Sequence, residues 1–351
     1  MAGPIDRSRG AQANLPHRFT SAWTEVEAEE EAPASAVPTE LRHVQARSIL
    51  SQNQSPDVPF GLSVNPYQGC EHGCIYCFAR PSHAYLDLNP GLDFETRIQV
   101  KDNAAELLRM AFSKRGYRPQ PLALAPNTDA WQPAEHKLGL SREILQVCVD
   151  FKHPVVCLSK SRGILRDLDL LAELAREQLV RVMISLTSLD PALKRSLEPR
   201  AAGPQARLQT IRELRQAGVP VGVLLAPIIP AVNDHEIEEL LEAAQEAGAD
   251  SAGWVLLRLP HEVAPLFRDW LQQQLPQRAE HVMSLLRDAR GGKDYDARFG
   301  QRMRGSGAYA SMLEQRFRVA CARLGLRQRE QDRESLNASA FRVPGPQQAL
   351  F

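Results

Sequence analysis

No apolar run in the sequence approaches the roughly 20 residues that a membrane-crossing helix needs, so no such helix is expected. The opening residues, MAGPIDRSRG, lack the apolar centre of a secretory signal, and the expected location is the cytoplasm. In that reducing compartment six scattered cysteines argue against a disulfide scaffold. An excess of either charge is also missing. Lysine plus arginine and aspartate plus glutamate stand at 42 each, so net charge nominates no polyanionic or polycationic partner. What remains is an ordinary globular composition, 43% apolar and 24% charged. With 351 residues the chain is long enough to bury a sizeable core in one large domain or two smaller ones.

Residues 1–45 are read as a solvated, disordered leader, because AWTEVEAEEEAPASAVPTE is acidic and carries too few apolar groups for a core. From residue 46 to about 260 short apolar runs alternate with amphipathic segments. Strands are expected at Gly61–Val64, Pro121–Pro126, Pro154–Ser159, Val180–Thr187, Val219–Ile229 and Ser251–Leu259. Helical spacing marks Ala104–Phe112, Arg142–Phe151, Leu165–Glu177, Gln205–Ala217 and Glu236–Ala247 between them. Asn233 or Asp234 is placed to cap the last of these, and Gly218 and Gly248 to end two of them in a left-handed turn. A helical extension over 261–335 and a flexible tail over 336–351 complete the expected organisation.

PVVCLS and VGVLLAPII are almost continuously apolar, as strands covered on both faces are. Strict strand–helix alternation implies parallel strands joined by right-handed crossovers. The expected class is α/β. Six units favour a partial (β/α)6 barrel, although a doubly wound sheet shares the same one-dimensional pattern. In either architecture ligands collect at the carboxyl ends of strands. The first strand ends just before Cys70, and the polar groups NTD, SKS and SLTS fall at or beyond later strand ends.

Cys70, Cys74 and Cys77 form C-x3-C-x2-C, a spacing that random placement of six cysteines produces roughly once in a thousand chains. A structural zinc ion needs four ligands, and His72 inside the loop is the candidate fourth. Cys148, Cys157 and Cys321 sit in apolar patterns and are read as packing residues. A cubane iron–sulfur cluster suits three thiolates better, because it leaves one iron open to an outside ligand. Gly69 and Gly73 permit the tight turns such a loop requires.

C-x3-C-x-aromatic-C after a first strand, with Tyr76 as the aromatic, resembles the signature of the radical S-adenosylmethionine (radical SAM) superfamily. The likeness extends over most of Gly61–Leu259. NTDAWQPAE, LSKSRGILRDLDLL, SLTSLD with LEPRAAGPQARL, and GVLLAPIIPAVND, in that order, are similar to the subgroup related to spore photoproduct lyase. The resemblance implies a [4Fe–4S] cluster held by Cys70, Cys74 and Cys77, with S-adenosylmethionine on the open iron. It also implies an electron donor of flavodoxin or ferredoxin type, and hydrogen abstraction from a substrate it does not identify.

By the same resemblance Thr128 occupies the region that holds the methionyl amine, and Lys160 approaches the methionyl carboxylate. Ser185, with Thr187 beside it, is assigned to the ribose hydroxyls, and Tyr76 and Ala226 flank the adenine. Asn65, Gln68, Asp129 and Glu135 receive bracing or turn-shaping roles. No catalytic residue is assigned. The cysteine that returns hydrogen in the lyase has no counterpart in LALAPNTD, which weighs against transferring its substrate. The competing reading is a non-catalytic nucleic-acid-binding module stabilised by zinc or an iron–sulfur cluster.

Residues 301–329 hold seven arginines and one glutamate. Tyr309, Met312, Leu313, Phe317, Ala320, Cys321 and Leu324 recur there as an apolar helical stripe. The arginines admit three readings: solvated surface, contact with nucleic-acid phosphates, or contact with an acidic face of the core. The terminal QQALF is similar to peptides that dock on the bacterial sliding clamp through Gln347, Leu350 and Phe351.

Overall fold

The structure, a computed structural model, describes residues 9–11, 17–19, 37–328 and 336–345. Its strands, in chain order, are β1 (Glu40–Val44), β2 (Leu50–Gln52), β3 (Leu62–Val64), β4 (Tyr67–Gln68), β5 (Arg97–Lys101) and β6 (Leu122–Leu124). They continue with β7 (Val155–Ser159), β8 (Val180–Ser185), β9 (Val221–Ile228), β10 (Ser251–Leu256) and β11 (Arg327–Gln328). The six expected strands correspond to β3 and β6 through β10. They lie side by side in that order, each parallel to the next. All residues of β8 are buried, which is what an unbroken apolar run between two covered faces predicts.

The edges differ from a purely parallel expectation. β2 pairs antiparallel with β3 at one end, and β11 extends the parallel series beyond β10. A second sheet, ordered β1–β5–β4, lies outside the strand–helix alternation. Its first strand falls within the span read as a leader. Residues 9–11 of that span are buried as well: Arg9 donates to the Glu95 carbonyl at 3.0 Å. The sequence pattern missed both because their partners, β5 and the loop before it, lie some fifty to ninety residues away.

Helices Ala104–Phe112, Leu140–Asp150, Leu168–Arg176, Pro204–Gln216 and Ile237–Glu246 form where the apolar spacing placed them. Each buries one face; Ile144, Leu145 and Cys148 are the buried side of the second. A fully buried leucine or isoleucine contributes about 1.5–3 kcal/mol relative to exposure, so these faces fix the helices on the sheet. The first part of the expected helical extension over 261–335 forms two helices, Val263–Gln274 and Ala279–Asp288. Gly218 and Gly248 take φ of 78° and 102°, as left-handed C-terminal positions do.

The capping expectation at Glu236 fails. Asn233 accepts from the Ile229 amide at 2.6 Å and donates to the Thr187 and Pro227 carbonyls at 2.7 and 3.0 Å. Its side chain thus fastens the loop after β9 to the loop after β8. Asp234 accepts instead from the Tyr309 hydroxyl.

Helix Gly307–Leu324 packs on Ile237–Glu246 through Ala310, Leu313, Phe317, Ala320 and Cys321, while Met312 stays exposed. No helix among the described residues is long and apolar enough to cross a membrane.

Candidate functional site

The carboxyl ends of β6 through β10, together with the loop after β3, border one cavity of about 460 Å³. That size suits a small-molecule ligand. Cys74, Tyr76 and Cys77 reach it from the first loop, Asn127 and Asp129 from beyond β6, and Lys160 from beyond β7. Ser185 and Ala226 reach it from β8 and β9, and Arg258 from beyond β10.

The cysteine loop is held from several sides. The Cys70 amide donates to the Phe94 carbonyl at 2.9 Å, and the Cys77 amide to the Cys74 carbonyl at 3.2 Å. Gly69 and Gly73 have φ of 92° and 67°, conformations that other residues adopt only under strain. Arg80 is fully buried; it donates to the carbonyls of Cys74, Pro90 and Gly91 and pairs with the buried carboxylate of Glu95. Glu95 in turn accepts from the Gly10 and Ala11 amides at 2.9 and 2.8 Å. Gly10 lies so close to the loop that an added Cβ would overlap the Gly73 carbonyl. Gln132 completes the bracing: it donates to the Gly69 carbonyl at 3.3 Å and accepts from the Glu71 amide at 2.8 Å.

Burial pushes the Cys70 thiol well up, with Asp129 and Cys74 adding to the rise, while a hydrogen bond from the His72 amide pulls the other way. Burial, helped by Glu198, pushes Cys74 up to about 12. Such sulfurs stay protonated until a bound cation removes the penalty. The donor set is soft, and two of its three sulfurs face the cavity. Both features fit a cluster with an exchangeable position. The His72 Nδ1 lies 3.4 Å from Asp129 Oδ2. Among the described residues no three His, Cys, Asp or Glu side chains converge on a point that would hold a single metal ion.

A buried charged network stands beside Cys74. Glu198 pairs with Arg207 and accepts from the Tyr76 hydroxyl and, at 2.9 Å, from Thr187 Oγ1. Burial opposes its ionisation, but Arg207 and Lys160 outweigh that and hold the carboxyl down to about 2. Arg207 also donates to the carbonyls of Ser185 and Ala202, at 2.9 and 2.8 Å, tying the network to the end of β8. Burial disfavours the Lys160 ammonium, yet Cys74, Glu198 and Asp129 together raise its pKa.

Of the residues expected at the site, Cys74, Cys77, Tyr76, Lys160, Ser185 and Ala226 line the cavity. Cys70 lies behind them, in a buried cluster with Ala79 and Phe94. Ser185 Oγ donates to the Ala226 carbonyl at 3.3 Å. Thr128 is not among the residues that border the cavity. Its hydroxyl is buried and donates to the Tyr67 carbonyl at 3.0 Å, whereas its neighbours Asn127 and Asp129 face the cavity. Asp129 is a turn former: it accepts from the Trp131 amide, Ser159 Oγ and the Lys160 amide at 2.9, 2.9 and 2.7 Å. Glu135 accepts from the Tyr67 hydroxyl and the Ser141 amide, away from the cavity.

Asn65 accepts from the Asn127 amide and Gln68 donates to the Ser82 carbonyl, as bracing residues do. Cys148, Cys157 and Cys321 are fully buried in the apolar core. Gln132, Glu198 and Arg207 were quoted within motifs but given no role, Arg258 fell outside the motifs, and Arg302 was counted only among the C-terminal arginines. A buried ion pair nine residues apart, Glu198 with Arg207, was the one available signal.

Two of the C-terminal arginines make contacts of the third kind. Arg316 pairs with Glu238 at 2.6 Å, and Arg323 pairs with Glu242, both on the acidic face of Ile237–Glu246. Residues 347–351, which carry the clamp-like peptide, lie outside the described residues.

A family model described as the radical SAM superfamily matches residues 64–244. An uncharacterized protein of Mycobacterium tuberculosis is 38% identical over 232 residues, 66% of this chain and 68% of the relative. An uncharacterized protein of Methanocaldococcus jannaschii is 24% identical over 197 residues, 56% of this chain and 71% of the relative. The fold is similar to spore photoproduct lyase complexed with dinucleoside spore photoproduct: TM-score 0.60, 16% identity, 82% of this chain and 81% of the lyase. A double mutant of that lyase with bound AdoMet and dinucleoside spore photoproduct gives 0.62 at 16% identity, over 84% and 87% of the two chains.

Proposed function

The chain belongs to the radical SAM superfamily, whose members use a [4Fe–4S] cluster and S-adenosylmethionine, and we propose that Cys70, Cys74 and Cys77 hold that cluster against the cavity described above. When bound and reduced by an outside donor, the cluster would supply the electron that cleaves S-adenosylmethionine into methionine and a 5′-deoxyadenosyl radical able to take hydrogen from a substrate. The cavity itself carries the reading: a three-cysteine loop and four of the five expected cofactor contacts border one enclosed space.

Lys160 supplies a charge-assisted hydrogen bond to the methionyl carboxylate, and its raised pKa keeps the ammonium charged for that task. Ser185 and the Ala226 carbonyl offer a donor and an acceptor to the ribose. Tyr76, clamped by Glu198, gives a fixed aromatic wall for the adenine. Asn127 takes over the amine region, since Thr128 faces away. Glu198 and Arg207 do not contact the ligand; they hold Tyr76 and the end of β8 in place. The order of β3 and β6 through β10 supports a partial barrel, with 46–260 as the catalytic core and 261–335 as a helical extension. An external reductant of flavodoxin or ferredoxin type completes the reaction.

Anaerobic reconstitution with iron and sulfide, then reduction in the presence of S-adenosylmethionine, tests the reading. The expected result is 5′-deoxyadenosine and methionine in equal amounts. Cys70→Ala, Cys74→Ala and Cys77→Ala lose the cluster, and Cys148→Ala and Cys321→Ala keep it. Stoichiometric zinc with no nucleoside product would falsify the assignment and restore the non-catalytic reading.

A further inference from the structure

The cavity has a second end, formed by Arg258, Arg302, Met303 and Phe78. Resting on the cofactor reading above, we propose that Arg258 receives an oxyanion, phosphate or carboxylate, carried by the substrate. It is a substrate-binding and specificity residue distinct from the cofactor contacts.

The first observation is the state of the other charges around the cavity. Lys160, Arg258 and Arg302 line it against a single acidic residue, Asp129. The Asp129 carboxylate is already occupied by Ser159 and by the amides of Trp131 and Lys160. Arg302 is neutralised by Asp57 at 2.5 Å. Arg258 has no carboxylate partner among the described residues. One of its terminal nitrogens donates to the Tyr295 hydroxyl at 3.2 Å, and the other contacts Met303 Sδ at 3.6 Å. Its Nε is sealed from solvent with no acceptor among the described residues.

Other buried guanidinium groups have partners for their terminal nitrogens, although the Arg290 Nε, like that of Arg258, has no acceptor among the described residues. Arg80 and Arg207 meet carboxylates, and Arg290 meets the carbonyls of Leu256, Leu257 and Gln301. A half-buried cation loses hydration, and here no anion offsets that loss. Its plane is nevertheless fixed, with the guanidinium carbon 4.9 Å from the Phe78 ring centroid and 5.9 Å from that of Tyr295. A planar fork held in place, with donors to spare and no carboxylate partner among the described residues, is the arrangement that binds a carboxylate or phosphate bidentately.

The second observation is position. Lys160 follows β7 and Arg258 follows β10, three strands further along the sheet. The two side chains therefore enter the cavity from strand ends that are not neighbours. S-adenosylmethionine carries one carboxylate, which the reading above assigns to Lys160. An anion at Arg258 therefore belongs to another molecule, and the substrate is the molecule that shares this cavity.

Nuclear magnetic resonance of arginine Nε–H groups in the full chain tests this without cofactor turnover. The Arg258 signal is assigned by its loss in Arg258→Lys or Arg258→Gln. The wild-type chain is then titrated separately with inorganic phosphate and with acetate, against sodium chloride at matched ionic strength. A saturable shift of Arg258 with either oxyanion, while the signal of the paired Arg316 stays put, supports the proposal. A response to phosphate alone points to a phosphoryl group on the substrate, and a response to acetate alone to a carboxyl group. No shift beyond that of chloride with either probe overturns it. Deoxyadenosine formation reports the cofactor reading separately, so the two can fail independently.

Discussion

The two ends of the cavity handle charge in opposite ways. At the cysteine end Glu198 pairs with Arg207 and accepts from the hydroxyls of Tyr76 and Thr187, and Asp129 accepts from the Lys160 amide. At the β10 end Arg258 leans on aromatic rings, and Phe78 is exposed. The contrast separates two tasks. A cofactor common to a whole superfamily calls for a fixed cradle, which a closed ionic network provides. A substrate that supplies its own charge calls for an unpaired one.

The strongest way to break the comparison is to remove one charge at each end. Glu198→Gln leaves Arg207 buried without its carboxylate, and the expected loss of stability is about 3–5 kcal/mol. Arg258→Gln removes a cation that no carboxylate compensates, so its unfolding free energy should stay within about 0.5 kcal/mol of wild type or rise. Urea unfolding followed by circular dichroism measures both. Equal losses would mean that the two ends are not built differently.

A smaller effect sharpens the same contrast through pH. Burial raises Glu135 from 4.5 to about 7, because its hydrogen bonds from Tyr67 and Ser141 only partly offset the desolvation. Its folded pKa lies above its unfolded one, so its penalty is absent below about pH 4.5 and complete above about pH 7. Stability should fall by roughly 3 kcal/mol across that window on account of this group, and Glu135→Gln should flatten the profile. Glu198 works with the opposite sign. Its carboxyl is held down to about 2, so the stability it contributes is present above about pH 4.5 and disappears as pH falls through 2. The difference in unfolding free energy between wild type and Glu135→Gln, measured from about pH 5 to about pH 8, isolates the Glu135 contribution from that of the buried histidines, whose pKa values burial lowers.

The smallest effect is expected on the outer surface. Arg316→Ala and Arg323→Ala break exposed pairs with Glu238 and Glu242, and each should cost less than about 1 kcal/mol. Chemical unfolding in low and high salt checks this, since the difference from wild type should shrink as salt rises.

Much of this organisation is legible in the sequence because it is local. Six apolar runs and the helices between them announce the parallel sheet, and C-x3-C-x2-C announces the cluster loop. The resemblance that named Thr128 could not show how the turn after β6 orients its side chain. The turn made by Asp129 faces residues 127 and 129 into the cavity and sends the Thr128 hydroxyl to Tyr67. Long-range pairings were also out of reach. Gly10 and Ala11 meet Glu95 more than eighty residues away, and β1 finds its partner only in β5. Arg258 was invisible for a related reason. Its significance lies in the carboxylate it lacks, and only the folded chain shows which arginines have one.

The central claim is that three cysteines leave one iron open to S-adenosylmethionine. Electron paramagnetic resonance of the reduced, reconstituted protein, with and without S-adenosylmethionine, tests it most directly. The account predicts a [4Fe–4S] signal whose g values shift when S-adenosylmethionine is added. A spectrum unchanged by saturating S-adenosylmethionine, or no iron–sulfur signal at all, would contradict it.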